Sequence, residues 1–304
     1  MNANTTNEPV IAVNNVCRRY GSKLALADVS FTVRRGGVLG LVGANGAGKT
    51  TLIKHVLGLL RARTGTVQVF GLDPVPHSVE VLGRLGYLSE DRDLPPWMSV
   101  TELVRYSQAF YPGWDATYAE KLRQRFQLLP DARIRTLSNG ELAKAGLLVA
   151  LAHRPELLVL DEPSSGLDPI VRREILEAVV RSVADEGRTV LFSSHLLDEI
   201  ARVSDYVAMM AYGRLVLQAP LHEVLETHRR VVVRLAHATR DLRQLPGALT
   251  VSGGPNEWTV ICNGNRQAFL DQLHGLNGQV LEENGATFEE IFHARVTLPA
   301  TEDQ

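Results

Sequence analysis

The chain has 304 residues, a formal net charge of -2 from 32 Lys+Arg against 34 Asp+Glu, and two cysteines, Cys17 and Cys262. Near-neutral charge argues against a general electrostatic grip on nucleic acid, so no nucleic-acid partner is expected. Two distant cysteines without C-x-x-C spacing imply neither a disulfide scaffold nor a structural zinc site, and make a reducing compartment the default.

The length suits one large α/β domain and a smaller one. Residues 1–10 are polar, lack the charged-then-apolar order of a secretion signal, and read as a flexible tail. No apolar run approaches the roughly 18 residues of a spanning helix. Work at a membrane would therefore need another protein to hold the chain there.

Ile11 to Val16 alternates loosely, and with Leu24 to Val33 it predicts an antiparallel strand set at the edge of the main sheet. Tyr20, between them, either stacks on a planar ligand or packs as a half-buried sheet residue. Val38 to Val42 is an apolar strand. It runs into Gly43-Ala44-Asn45-Gly46-Ala47-Gly48-Lys49-Thr50, which fits G-x-x-x-x-G-K-[ST]. Strand, glycine turn and helix in that order predict a phosphate site. The glycines let backbone N–H groups converge on an anion, the helix turns its N-terminus toward it, and Lys49 adds a positive charge. Thr50 offers a hydroxyl to Mg²⁺. The helix continues from Thr51 to Leu60, with Leu52, Val56 and Leu59 facing a sheet.

Gly65 to Gly71 predicts a short strand. Leu85 to Leu88 predicts another, whose end delivers Glu90 to a crevice, the usual ligand location in open α/β sheets. From Ser99 to about Leu129 the spacing turns helical, broken at Pro112-Gly113, as expected of an inserted helical subdomain. Ser138 caps the next helix, with Glu141 in capping-box position. Leu157 to Leu160 is a buried strand that ends in Asp161-Glu162, and two carboxylates at such a tip are costly unless they serve a cation or a base. After Ser164-Ser165-Gly166-Leu167-Asp168 comes a helix from Ile170 to Glu186, stopped by Gly187. Thr189 to Ser194 is a strand that delivers His195, and Tyr206 to Met210 with Gly213 to Gln218 closes the sheet as a strand pair.

Beyond Ala219-Pro220 the pattern changes. A short helix (Leu221 to Thr227), strands at Val231 to Leu235, Leu249 to Val251, Trp258 to Cys262 and Gln279 to Glu282, and helices at Arg266 to Leu276 and Thr287 to Val296 predict a small α+β domain. It carries no motif tied to chemistry. In the first domain Asp161 is a candidate to bind Mg²⁺ through a water, Glu162 to polarise an attacking water, and His195 to sense a γ-phosphate.

Taken together these residues resemble the nucleotide-binding subunit of ABC transporters. Tyr20 looks like the adenine-stacking aromatic, Gly43 to Thr50 the Walker A loop and Glu90 the Q-loop position. Leu137 to Glu141 resembles the signature sequence, Leu157 to Asp161 the Walker B strand, Glu162 the catalytic glutamate, Ser165 to Asp168 the D-loop and His195 the switch histidine. The resemblance implies an α/β P-loop NTPase of ABC ATPase type over residues 11–218, with an antiparallel β edge and a helical subdomain at about 91–152, and a C-terminal α+β domain at 219–304. It implies an ATPase that converts ATP and water to ADP and phosphate, with ATP and Mg²⁺ as cofactors. Lys49, Glu162 and His195 would be catalytic. Tyr20, Gly43, Asn45, Gly46, Gly48, Lys49, Thr50 and Thr51 would bind nucleotide, and Thr50, Glu90 and Asp161 the metal.

In this family two domains sandwich two ATP molecules head to tail, so Ser138 and Gly140 of a second, identical subunit would complete each site. Glu90, residues 164–168 and the tail Ala286 to Phe292 are similar to ATPases that drive export through ABC-2-type permeases. That partner would place the chain in the cytoplasm, peripheral on the inner face of the cell membrane. Two departures stand out: Glu90 where the family has glutamine, and Leu137-Ser138-Asn139-Gly140-Glu141 where it has Leu-Ser-Gly-Gly-Gln. Both add negative charge near a triphosphate, and slower or partner-dependent hydrolysis is expected. The competing readings are a soluble ABC-type ATPase acting on ribosomes or DNA-repair complexes, and a nucleotide-gated regulatory protein.

Overall fold

Two long strands open the fold in the computed structural model, which describes residues 8–184, 187–235, 241–254 and 256–297. β1 (Ile11–Tyr20) and β2 (Lys23–Val33) alternate buried and exposed residues and pair antiparallel from Ile11↔Val33 to Tyr20↔Lys23. Val10, expected in the tail, is buried instead. Its N–H donates to Val33 O at 2.7 Å and its carbonyl accepts from Phe70 N–H at 2.8 Å, because it extends the β1 register by one residue. β3 (Val38–Val42) is buried throughout and leads into α1 (Lys49–Val56).

The helix expected to reach Leu60 stops early. Gly58 takes a left-handed φ of 72°, and an added Cβ there would lie 2.3 Å from Pro74 O. Leu52 and Val56 therefore face the core, while Leu59 is 64% exposed. β4 (Thr66–Val69) joins β1 antiparallel, so the antiparallel strands form a sheet of their own in the order β2-β1-β4.

α2 (Ser78–Gly83) and β5 (Leu85–Leu88) precede the helical segment. α3 (Val100–Gln108) starts at a capping box of Ser99 and Glu102, and α4 (Ala116–Arg125) at Asp115, whose carboxylate accepts from Tyr118 N–H. α5 (Asn139–Ala152) begins at a second capping box, Ser138 with Glu141, and is followed by β6 (Leu157–Asp161). α6 (Pro169–Ala184) is capped by Asp168, whose Oδ1 accepts from the N–H groups of Ile170 and Val171. Its expected end at Glu186 lies outside the described residues.

β7 (Thr189–Ser194), α7 (Leu197–Val203), β8 (Tyr206–Ala211) and β9 (Arg214–Pro220) complete a six-stranded sheet in the order β5-β6-β7-β3-β8-β9. β5, β6, β7, β3 and β8 run parallel, so their C-terminal ends share one edge. One apolar cluster draws on β1, β2 and β4 together with α1 and strands β3, β6, β7 and β8. It clamps the glycine turn between two sheets.

The chain divides into two compact units, Met1–Leu215 and Val216–Gln304. The second contains α8 (Leu221–Thr227), β10 (His228–Arg234), β11 (Ala248–Gly253), β12 (Glu257–Asn263), α9 (Arg266–Gly275), β13 (Gln279–Gly285) and α10 (Phe288–Thr297). Its antiparallel sheet has the order β11-β12-β10-β13, and Val231, Val233, Val260, Phe269 and Leu273 form its core. No helix among the described residues is long and apolar enough to cross a membrane.

Candidate functional site

The turn after β3 is shaped by close packing. A Cβ on Gly43 would lie 2.6 Å from Met210 O, and one on Gly48, whose φ is 111°, would lie 2.6 Å from Ala25 O. These positions leave no room for a side chain, so the backbone is fixed where α1 begins. Lys49, the first residue of that helix, is only 6% exposed. Its Nζ donates to Gly43 O at 2.7 Å and stands 3.0 Å from Glu162 Oε1, an ion pair whose angle falls outside hydrogen-bond geometry.

Two neighbouring parallel strands supply the other charges. Asp161 at the end of β6 lies beside Ser193 of β7, whose Oγ donates to Asp161 Oδ1 at 2.7 Å and accepts from Glu162 N–H at 3.0 Å. Burial pushes the Asp161 carboxyl above its ordinary value, and the Glu162 charge adds to that, against hydrogen bonds from Ser193 and Thr50. Burial and the charges of Asp161 and Asp91 also push the Tyr87 phenol up to about 12. Glu162 is 4% exposed and has a left-handed φ of 48°, a strained backbone for a side chain of its size. His195 meets it twice: its N–H donates to Glu162 Oε2 at 3.2 Å and its Nδ1 lies 2.7 Å from the same oxygen. Lys49 and His195 thus hold the two oxygens of one buried carboxylate.

Lys49 and Glu162, but not Asp161 or His195, line a cavity of ≈ 340 Å³ together with Tyr20, Lys23, Ala25, Asn45, Gly46, Gly48, Thr50, Thr51 and Glu90. Tyr20 is 45% exposed and has the Arg18 guanidinium 4.8 Å from its ring centre. Glu90 Oε1 accepts from Ser165 Oγ at 3.3 Å. Gly43 does not line the cavity; its carbonyl holds Lys49. Ser138 and Gly140 do not line it either. Ser138 is engaged by Glu141, whose Oε2 accepts from Ser138 N–H at 2.8 Å and from Ser138 Oγ at 2.7 Å, and Gly140 packs against Val171 of α6.

A backbone amide cradle, two lysines, a half-exposed aromatic and two carboxylates suit a nucleoside triphosphate with a bound cation. Mg²⁺ takes oxygen ligands, keeps several waters and binds through one or two carboxylates plus phosphates. The Thr50 hydroxyl next to Asp161, with Glu90 on the cavity wall, fits that donor set.

Several residues here escape a reading of the sequence. Lys23 adds a second cation to the cavity wall. Arg92 Nη2 donates to the carbonyls of Pro163 at 3.2 Å and Ser165 at 2.5 Å, holding the loop after Glu162. Ser164 and Ser194 both donate to Glu199. The one signal for these was the pair of serines ending an otherwise apolar buried strand at Ser193-Ser194.

A family model described as ABC transporter matches residues 26–165. The chain is 32% identical over 225 residues to the Nod factor export ATP-binding protein I of Ralstonia nicotianae, covering 72% of this chain and 70% of that protein. It is 35% identical to the protein of the same name from Burkholderia orbicola, covering 71% and 73%, and 27% identical to the ABC transporter ATP-binding protein YtrB of Bacillus subtilis, covering 94% and 98%. Among solved structures, an ATP-binding subunit of an ABC transporter superposes with a TM-score of 0.66 at 28% identity, covering 71% of this chain and 92% of that one. A dimeric bacterial ABC transporter cassette shares the fold at a TM-score of 0.63 and 20% identity, covering 69% and 98%. The chain belongs to the ABC transporter family, as an ATP-binding subunit that hydrolyses ATP.

Proposed function

We propose that this subunit powers export through a separate ABC-2-type membrane permease, and that it does so as a head-to-tail homodimer. ATP-binding subunits of this family work as dimers with a membrane permease. Export is supported by the names of the Nod factor export proteins that it resembles over more than two thirds of their length. Such a partner would hold the chain at the inner face of the cell membrane. Residues 219–304 would be an accessory domain.

The observation that carries the catalytic reading is the contact of Lys49 and His195 with the two oxygens of Glu162, whose side chain lines the cavity beside Lys49. In that reading the amides of Asn45, Gly46 and Gly48 and the first turn at Thr50 and Thr51 cradle the phosphates. Lys49 moves its charge from Glu162 to the β and γ oxygens, which leaves Glu162 to orient and deprotonate the attacking water. His195 then donates toward the γ-phosphate while its other face stays against Glu162. Thr50, Asp161 and Glu90 would hold Mg²⁺, which supplies charge neutralisation on the phosphate oxygens. Tyr20 would stack on the base.

Ser138 and Gly140, lying off the cavity of their own chain, would close the cavity of the second copy. Light scattering of the Glu162→Gln chain tests the pairing. It should have twice the single-chain mass in MgATP and return to single-chain mass when Ser138→Arg is added. Single-chain mass in saturating MgATP would reject it.

A further inference from the structure

Glu199 lies on α7, is 4% exposed, and has no role in the scheme just given. A buried carboxylate is costly unless its lone pairs are used. One oxygen, Oε2, accepts two hydroxyls: Ser164 Oγ at 2.6 Å and Ser194 Oγ at 2.8 Å. The other, Oε1, is buried 3.3 Å from Arg172 Nε, an ion pair outside hydrogen-bond geometry. Arg172 itself donates from Nη2 to Leu167 O at 3.3 Å.

The donors are placed where they matter. Ser164 is two residues after Glu162, and Ser194 is immediately before His195. Both serines are buried, at 1% and 0% exposure, so water does not compete for their hydroxyls. Ser194 Oγ also accepts from Leu196 N–H at 3.0 Å, fixing the turn on the far side of His195. A single carboxylate oxygen therefore joins the two loops that bring Glu162 and His195 to their 2.7 Å contact. Arg172 links the same carboxylate to the helix that follows the Glu162 loop.

We propose that Glu199 is a positioning residue for ATP hydrolysis: by holding Ser164 and Ser194 on one oxygen it sets the separation of Glu162 and His195. This rests on the roles proposed for Glu162 and His195. Glu199 touches neither of them and lies off the nucleotide cavity, so it acts on the chemical step and not on ATP affinity. Displacing reacting groups by a fraction of an ångström slows that step while leaving the phosphate cradle intact.

Steady-state ATP turnover of the full chain tests it, with Glu162→Gln and His195→Ala as references. Glu199→Ala is expected to lower kcat about 10- to 100-fold with KM for ATP within about twofold. Glu199→Gln, whose amide oxygen still accepts both hydroxyls, should give a kcat between those of Glu199→Ala and the natural chain. Ser164→Ala removes one donor without touching a charge and should lower kcat about threefold or more at unchanged KM, adding nothing on top of Glu199→Ala.

An unchanged kcat in Glu199→Ala, a KM that rises as far as kcat falls, or a Glu199→Gln no better than alanine would overturn the proposal. Should Glu199→Ala fail to fold, Ser164→Ala decides alone: natural kcat there overturns it. Failure of the underlying reading shows separately, as natural turnover in both Glu162→Gln and His195→Ala.

Discussion

In the first unit buried polar side chains converge: Lys49, Asp161, Glu162, Ser164, Ser193, Ser194 and Glu199 are all buried near the ends of parallel strands. Among the described residues of the second unit His228 is the one buried polar side chain. Its ring is fully partnered. Nδ1 lies 2.7 Å from Val224 O, and Nε2 accepts from Arg295 Nη2 at 2.9 Å and lies 3.0 Å from Asn263 Nδ2. Glu162 is different, because its Oε1 is buried with only an off-angle ion pair to Lys49. Burial with complete partners ties elements together, here α8, β12 and α10. Facing the nucleotide cavity, the incomplete set around Glu162 leaves it ready to exchange partners, which is what chemistry requires.

Four changes probe the two kinds of burial. Phe269→Ala empties the core of the second unit and should destabilise it by about 3–5 kcal/mol; denaturant unfolding followed at Trp258 reads this, with ATP affinity unaltered. Gly43→Ala drives a methyl group to 2.6 Å from Met210 O and should weaken ATP binding by about tenfold or more through overpacking that costs about 1–3 kcal/mol, measured by nucleotide titration.

Acidification should act on the second unit through His228. Burial, with help from Arg295, holds its pKa below the ordinary 6.5. The folded state therefore binds fewer protons than the unfolded one, and this contribution is full above pH 6.5 and is lost as pH falls toward the folded value. Hydrogen exchange of β10 at pH 7.5 and pH 5.5 should show the loss, and His228→Gln should flatten it. Arg173→Ala, which removes an exposed helical pair with Glu177, should change stability by less than about 0.5 kcal/mol in thermal unfolding.

What was legible in the sequence was local. The glycine turn before Lys49, the Asp161-Glu162 tip and the Ser138 capping box each lie within a few consecutive residues, so spacing alone brings their parts together. The helices and strands of the second unit were legible for the same reason, from alternation and periodicity. The clasp of Glu199 on Ser164 spans 35 residues, and that of Arg92 on Pro163 spans 71. Such pairs are set by which strands are neighbours, and no single stretch reports that. Spacing places Leu59 on the buried face because it carries the helix past Gly58, whose left-handed φ and contact with Pro74 end it. Val10 reads as tail because one apolar residue beside a polar stretch gives no period, although it is buried against β2.

In the proposed mechanism Glu162, held between Lys49 and His195, activates the water that attacks ATP. The most direct measurement is single-turnover conversion of bound ATP by the full chain and by Glu162→Gln at matched nucleotide occupancy. The substitution should leave ATP binding within about twofold and slow conversion by about 10²- to 10⁴-fold. Conversion by Glu162→Gln at the natural rate would remove Glu162 from the chemical step.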